Sequence, residues 1–64
     1  MWIKTCTGEW LNSDHIKSIG TMGTDTVAAV VDTNHAVYIS RTKDIRREII
    51  EAIVSNATTM EVDE

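Results

Sequence analysis

Four cationic side chains crowd into seven residues of this chain, and a cluster of that density could bind an anion. They are Arg41, Lys43, Arg46 and Arg47, which account for four of the six lysine and arginine residues. A helix is predicted to begin in the same stretch, and the free N–H groups at a helix N-terminus attract phosphate and carboxylate groups. The cluster therefore predicts a site for a small anionic ligand such as a nucleotide. The simpler interpretation, which we favour, is a solvated or oligomer-bridging helix end in which Arg47 pairs with Glu51.

Catalytic and metal-binding patterns are absent from the sequence. Cys6 is the single cysteine, so it cannot form an internal disulfide, and no neighbouring base would make it a nucleophile. His15 and His35 have no metal-ligand spacing to a second histidine or to the cysteine. We therefore predict a protein that is not an enzyme and that uses no cofactor and no metal ion.

Two tryptophans form a second candidate surface. Trp2 and Trp10 lie on predicted strands joined by a turn at Gly8, so they could be cross-strand neighbours. Tryptophan is enriched at binding hot spots, and His35 is expected to be exposed at the tip of a hairpin predicted over residues 32–35. We interpret Trp2, Trp10 and His35 as a candidate partner surface. The alternative is that the tryptophans fill the core, which is the commoner role in so small a protein.

The elements that must position these residues are mostly strands. The chain has 64 residues, with 8 Ile, 6 Val and 9 Thr but only 1 Leu, and β-branched residues suit a pleated sheet better than a helix. The clearest strand covers residues 26–31, is apolar on both faces, and is followed by a returning strand over residues 36–40. Residues 12–14 predict a single helical turn or bend that ends at His15. We predict an α+β fold in which a four-stranded antiparallel meander is followed by one C-terminal helix (ββββα).

The C-terminal helix is predicted from a change in the spacing of apolar residues. Its core-facing arc is expected to contain Ile45, Ile49, Ala52 and Ile53. Thr42 is expected to be the N-cap, and the helix should end near Val54 or Ala57. Residues 1–57 are then a single domain, and residues 58–64 are an acidic, flexible tail. An extra edge strand formed by this tail is the alternative, because its apolar and acidic residues alternate.

This helix carries more apolar surface than one small sheet should cover. Ile50 and Val54 lie about 60–100° beyond the core-facing arc, and Ala57 falls near them. They could contact the rim of the sheet, or they could form an interface with a second copy of the chain. We favour the second copy, because the central strand is also apolar on both faces and one helix cannot cover both. The predicted state is a dimer or a higher homo-oligomer, in line with the marginal core of so short a chain.

Composition and charge exclude several function classes. No apolar run approaches the roughly 18 residues of a membrane span, and no signal-peptide apolar region is expected at the start. A single cysteine suits a reducing compartment, so we predict a cytoplasmic protein without membrane contact. The net charge of -4 makes binding to double-stranded nucleic acid an unfavourable hypothesis.

The order of these features resembles that of small flagellar proteins of the FlbD type. The resemblance covers about residues 3–53. It rests on Gly8 in the first turn, Leu11-Asn12, Ile16 and Ile19, Asp25-Thr26-Val27 at the start of a strand, and the isoleucine-rich C-terminal helix. The chain departs from the family in Trp2, Trp10 and the arginine-rich start of its helix. The resemblance implies a non-enzymatic interaction role, without assigning it to individual residues.

Two hypotheses for function follow from the sequence. The first is a small, non-enzymatic, self-associating binding module whose partners are further copies and an unidentified protein. The alternative is a phage-type inhibitor or sequestering protein that binds a small anionic ligand, such as a nucleotide, at arginine-lined interfaces between copies.

Overall fold

The chain forms two small sheets and one helix. The computed structural model describes residues 1–31 and 35–62. The elements are β1 (Trp2–Lys4), β2 (Trp10–Asn12), β3 (Ile16–Met22), β4 (Asp25–Val30), β5 (Ala36–Ser40), α1 (Arg46–Val54) and β6 (Thr59–Glu61). The strands are ordered β2-β1-β6 in one sheet and β3-β4-β5 in the other. The predicted α+β class with a C-terminal helix is confirmed, whereas the prediction of a single four-stranded meander is wrong.

A short helical turn separates the two sheets. The 3₁₀ turn Ser13–His15 follows β2, and the Asn12 side chain caps it by accepting a hydrogen bond of 3.1 Å from the backbone N–H of Asp14. This is the helical turn predicted from the sequence. It redirects the chain between β2 and β3, so the second hairpin starts a new sheet and does not extend the first. The predicted hairpin turn lies outside the described residues at positions 32–34.

The segment predicted to be a flexible tail contains a strand. β6 pairs in parallel with β1, with Met60 opposite Ile3, and the backbone N–H of Val62 donates a hydrogen bond to the Lys4 carbonyl at 2.9 Å. Met60 and Val62 are half-buried against the core, so the alternation of apolar and acidic residues marks an edge strand. The parallel pairing needs a long connection between β1 and β6, which consists of β2, the second sheet and the helix. Residues 63 and 64 lie outside the described residues.

The core lies between the two sheets and the helix. Its buried side chains are Ile3, Ala28, Ile39, Ile45 and Ile49. They come from both sheets and from one side of α1, so all three units share one apolar interior. A backbone hydrogen bond of 2.9 Å from the N–H of Cys6 to the carbonyl of Ile39 also joins the two sheets directly.

The start of α1 is fixed by a strand residue that is distant in sequence. The fully buried Thr26 hydroxyl donates to the Lys43 carbonyl at 3.0 Å and accepts from the Ile45 N–H at 2.9 Å. The helix therefore begins at Arg46, and the predicted N-cap at Thr42 is wrong. The N-cap is Ile45, three residues after Thr42, because the Thr26 hydroxyl of β4 holds the intervening segment in a non-helical conformation.

The end of α1 is a capped C-terminus. Asn56 adopts a left-handed conformation with φ of 61°. Its N–H donates to the Ile53 carbonyl at 3.1 Å, and the N–H of Ala57 donates to the Ala52 carbonyl at 3.0 Å. This pattern is the Schellman motif, in which asparagine is an accepted substitute for glycine. The helix therefore ends at Val54, within the predicted range.

Candidate functional site

No element formed by residues 1–31 and 35–62 covers one side of α1. Ile45 and Ile49 are buried, but Ile53, predicted to belong to the core, is 41% exposed. Ile50 and Val54 are 51% and 76% exposed. Ala57 is half-buried just past the helix, within the C-terminal cap. The helix therefore packs on the core through a narrow stripe and presents its other large aliphatic side chains outward.

Two of these outward side chains, Ile50 and Ile53, form one wall of a groove between α1 and β3, and Val54 lies outside it. The groove has a volume of about 850 Å³, and its apolar lining consists of Ile16, Ile19, Ile50 and Ile53. We call it the α1–β3 groove. Since it is open to solvent and apolar at its base, it is the feature of the described surface best suited to receive an apolar partner.

The β3 wall of the groove depends on a β-bulge at Lys17. Ile16 and Ile19 are three residues apart and would lie on opposite faces of a regular strand. The pairing of β3 with β4 shifts between Ile16 and Ser18, so that Ile16 lies opposite Val30 and Ile19 opposite Ala28. Sequence reasoning missed this wall. The three-residue apolar spacing inside a β-rich segment was the signal that could have revealed it.

The rim of the groove has balanced charge. Its lining includes three cations and three carboxylates, namely Lys17, Arg46, Arg47, Asp44, Glu48 and Glu51. Such a rim has no net attraction for a small anion. It suits a partner whose own surface carries both signs.

The structure separates the four cations of the predicted anion site. The Arg41 guanidinium lies 4.6 Å from the centre of the Tyr38 ring. Lys43 lines a second cleft, which has a volume of about 260 Å³ and is also lined by Glu61. Only Arg46 and Arg47 line the α1–β3 groove. The predicted cluster is therefore contiguous in sequence but divided among three surroundings.

Arg46 is further engaged by a carboxylate of its own chain. Its side chain donates two hydrogen bonds to Asp44, at 2.8 and 3.0 Å, and its backbone N–H donates a third at 3.1 Å. The side-chain hydrogen bond is the main reason why the pKa of Asp44 is lowered, and the same bond raises the pKa of Arg46. An incoming anion would have to compete with Asp44 for this guanidinium.

The two tryptophans share the outer face of the β2-β1-β6 sheet. In the β1–β2 register Lys4 lies opposite Trp10 and Trp2 opposite Asn12, so the tryptophans are diagonal neighbours. Each is 50% exposed. His35 is also exposed, but it precedes β5 in the other sheet.

The chemistry of the remaining reactive groups is limited. Cys6 is half-buried, and its thiol donates a hydrogen bond of 3.8 Å to the Tyr38 carbonyl. Among residues 1–31 and 35–62, no three histidine, cysteine or acidic side chains come together as metal ligands would. No helix in this part of the chain is long and apolar enough to cross a membrane.

Comparison with known proteins leaves the surface geometry as the basis for a functional assignment. No protein-family model matches the chain, and neither a curated protein nor a solved structure matches it. The resemblance to small flagellar proteins of the FlbD type therefore stays a prediction.

Proposed function

We propose that this chain is a non-enzymatic, cytoplasmic interaction module that self-associates through the exposed side of α1 and the adjoining α1–β3 groove. The observation that carries the proposal is the exposure of three large aliphatic side chains, Ile50, Ile53 and Val54, on a helix of nine residues. Burial of such a side chain contributes about 1.5–3 kcal/mol. A small domain with a marginal core gains from covering this surface.

The helix cannot cover this surface by shifting on its own core. At about 100° per residue, the nine steps from Ile45 to Val54 amount to about two and a half turns. Val54 therefore points away from the core on the side opposite Ile45, which is only 4% exposed. Any rotation that buried Val54 would expose Ile45. A second copy of the chain removes this conflict.

Charge favours an antiparallel arrangement of the two helices. Arg46 and Arg47 lie in the first turn of α1, where the positive end of the helix dipole disfavours cations. In an antiparallel pair they lie beside the negative C-terminal end of the partner helix. Ile50 is the middle residue of α1 and would lie near the two-fold axis. The balanced rim of the groove suits such a self-complementary contact, and two-fold dimers are the commonest closed assemblies.

The anionic-ligand alternative has less support. Arg46 is held by Asp44, and the carboxylates of the groove rim balance its cations. The remaining two cations of the cluster line other parts of the surface. A sequestering role for nucleotides would require these side chains to regroup.

The test is the mass of the protein in solution. By size-exclusion chromatography with light scattering, the wild type is expected at twice the chain mass, and Ile50→Glu combined with Val54→Glu at the chain mass. Met22→Glu combined with Val31→Glu is the matched control, because these side chains are also exposed, at 55% and 54%, but lie outside both α1 and the groove. Circular dichroism checks that each variant is folded. A monomeric wild type, or a dimer that survives the helix substitutions, would refute the proposal.

A further inference from the structure

β3 is an open edge of its sheet and also forms one wall of the α1–β3 groove. In the order β3-β4-β5, it pairs with β4 on one side only. With seven residues it is the longest strand of the described chain, whereas β2 and β6, the edges of the other sheet, have three residues each. The edge of β5 is partly occupied, because the Ile39 carbonyl accepts the hydrogen bond from Cys6. Unpaired backbone groups on a strand as long as β3 are a template for a further strand.

The register of the β3–β4 hairpin shows which backbone groups lie on this open edge. Directly opposite residues in an antiparallel pair alternate between exchanging two hydrogen bonds and exchanging none. Met22 and Asp25 flank a two-residue turn and are therefore a hydrogen-bonded pair. Two positions further along, Gly20 is again hydrogen-bonded to β4. The N–H and C=O groups of Ile19 and Thr21 therefore point away from β4, toward the open edge.

This edge is complementary to a second copy of itself. In an antiparallel pair centred on Gly20, Ile19 of each copy lies opposite Thr21 of the other, so each outward N–H meets an outward C=O. Lys17 is the one charged residue of β3. It lies beyond the paired segment, opposite the turn at Gly23 of the second copy, so like charges do not face each other.

The exposed side of α1 is too small to hold a dimer by itself. Stable interfaces take about 20–30 residues from each partner, whereas α1 has nine. β3 lies on the other wall of the same groove and can extend the contact. A two-fold axis perpendicular to the sheet at Gly20 makes the two β3 strands antiparallel. Because α1 packs on the inner face of the sheet through Ile45 and Ile49, the same axis makes the two helices antiparallel as well.

We propose that β3 pairs with β3 of a second copy and joins the β3-β4-β5 sheets of the two copies into one continuous sheet. This inference rests on the proposed dimer and names the contact that completes it. A strand from another protein could bond to the same edge, but it would not bring a second α1 against the exposed Ile50 and Val54. Pairing the two β3 edges also closes the longest open edge of each copy, so the assembly stops at two.

Amide hydrogen exchange followed by NMR tests the strand pairing residue by residue. In the wild type, the N–H groups of Ile19 and Thr21 should exchange at least about tenfold more slowly than in the variant that combines Ile50→Glu with Val54→Glu. The N–H of Gly20 is bonded to β4 in both proteins, so its exchange should differ far less. A dimer by mass whose Ile19 and Thr21 amides exchange as fast as in that variant overturns the strand pairing and leaves the helix contact standing. A monomeric wild type overturns both proposals.

Cysteine trapping at Gly20 tests the register independently. A Cβ added at Gly20 meets no heavy atom within 4 Å in a single copy, so the fold accommodates the substitution. In a Cys6→Ser background, Gly20→Cys should cross-link on mild oxidation, because the two Cα atoms face each other at the axis about 4.5 Å apart. Met22→Cys, on the same face of β3, is the matched control, since its two copies would be at least about 13 Å apart. Equal cross-linking of the two variants, or none of Gly20→Cys in a protein that is dimeric by mass, overturns the inference.

Discussion

Replacing Val54 by alanine distinguishes the proposed dimer from a monomer, because the substitution should stabilise a single copy and weaken the dimer. Val54 is 76% exposed and faces away from the core. In a single copy, alanine should raise helix stability by up to about 0.5 kcal/mol, since valine is the poorer helix former. In the proposed dimer, the same change removes two methyl groups from the interface.

The expected loss at the interface follows from the exposed fraction of Val54. Two carbons at about 0.8 kcal/mol each, scaled by the 76% that a partner could still cover, amount to about 1.2 kcal/mol per copy. Both copies change, so the dimer loses about 2.4 kcal/mol. This corresponds to a rise of about fifty-fold in the dissociation constant.

Sedimentation equilibrium over a concentration series measures that constant, and thermal unfolding at low concentration measures the single copy. Val31→Ala is the control, because Val31 is 54% exposed but follows β4 and is not part of α1. Its dissociation constant should match that of the wild type. A Val54→Ala variant with higher thermal stability and an unchanged dissociation constant would refute the reasoning, because Val54 would then face solvent.

Three further predictions concern the fold that supports the groove. Thr26→Val should lower the free energy of unfolding by about 2–4 kcal/mol, measured by urea denaturation, because one buried and one partly buried backbone group lose their partner, while Thr26→Ser keeps most of the stability. Asn56→Val should lower the free energy of unfolding by about 1–2 kcal/mol, because valine is strained at the φ of 61° that Asn56 adopts, and Asn56→Gly should leave it unchanged. Equal stabilities of the valine and glycine variants would contradict the cap. The Arg46 hydrogen bonds lower the pKa of Asp44. Their contribution to the stability of the fold is therefore present above the ordinary aspartate pKa of about 3.9, and it is lost as the pH falls through the lowered pKa. The difference in Tm between wild type and Asp44→Asn should thus be largest near neutral pH and vanish in acid.

Local signals predicted the elements of this fold, and long-range contacts decided their arrangement. The predicted helical turn before His15 forms because the Asn12 side chain accepts a hydrogen bond from a backbone group only two residues away. The split into two sheets was not predictable, because three-residue strands pair through contacts that no local pattern encodes. The same holds for Thr26, whose hydroxyl in β4 sets the start of a helix 20 residues later. In the sequence, the strand that contains Met60 is marked only by alternating apolar and acidic residues, and this alternation is too short to distinguish a strand from a loop.

In the candidate site, too, local spacing predicted some features and long-range contacts decided the others. The exposure of Ile50 and Val54 could be derived from the helical spacing, because a helix is a regular object and its faces follow from residue numbers. The placement of Ile19 in the same groove as Ile50 needs the bulge at Lys17, which depends on pairing with β4. The dispersal of the cations also could not be derived, because Arg41 and Arg46 are directed by Tyr38 and Asp44.

Disulfide trapping at the middle of α1 tests the antiparallel dimer most directly. In a Cys6→Ser background, Ile50→Cys places one thiol per copy near the proposed two-fold axis, where packed helices approach within cross-linking distance. Mild oxidation should convert most of this variant into a covalent dimer at low protein concentration. Met22→Cys, which is equally exposed but outside the groove, should stay monomeric under the same conditions. Equal cross-linking of both variants, or none of the Ile50→Cys variant, would contradict the account.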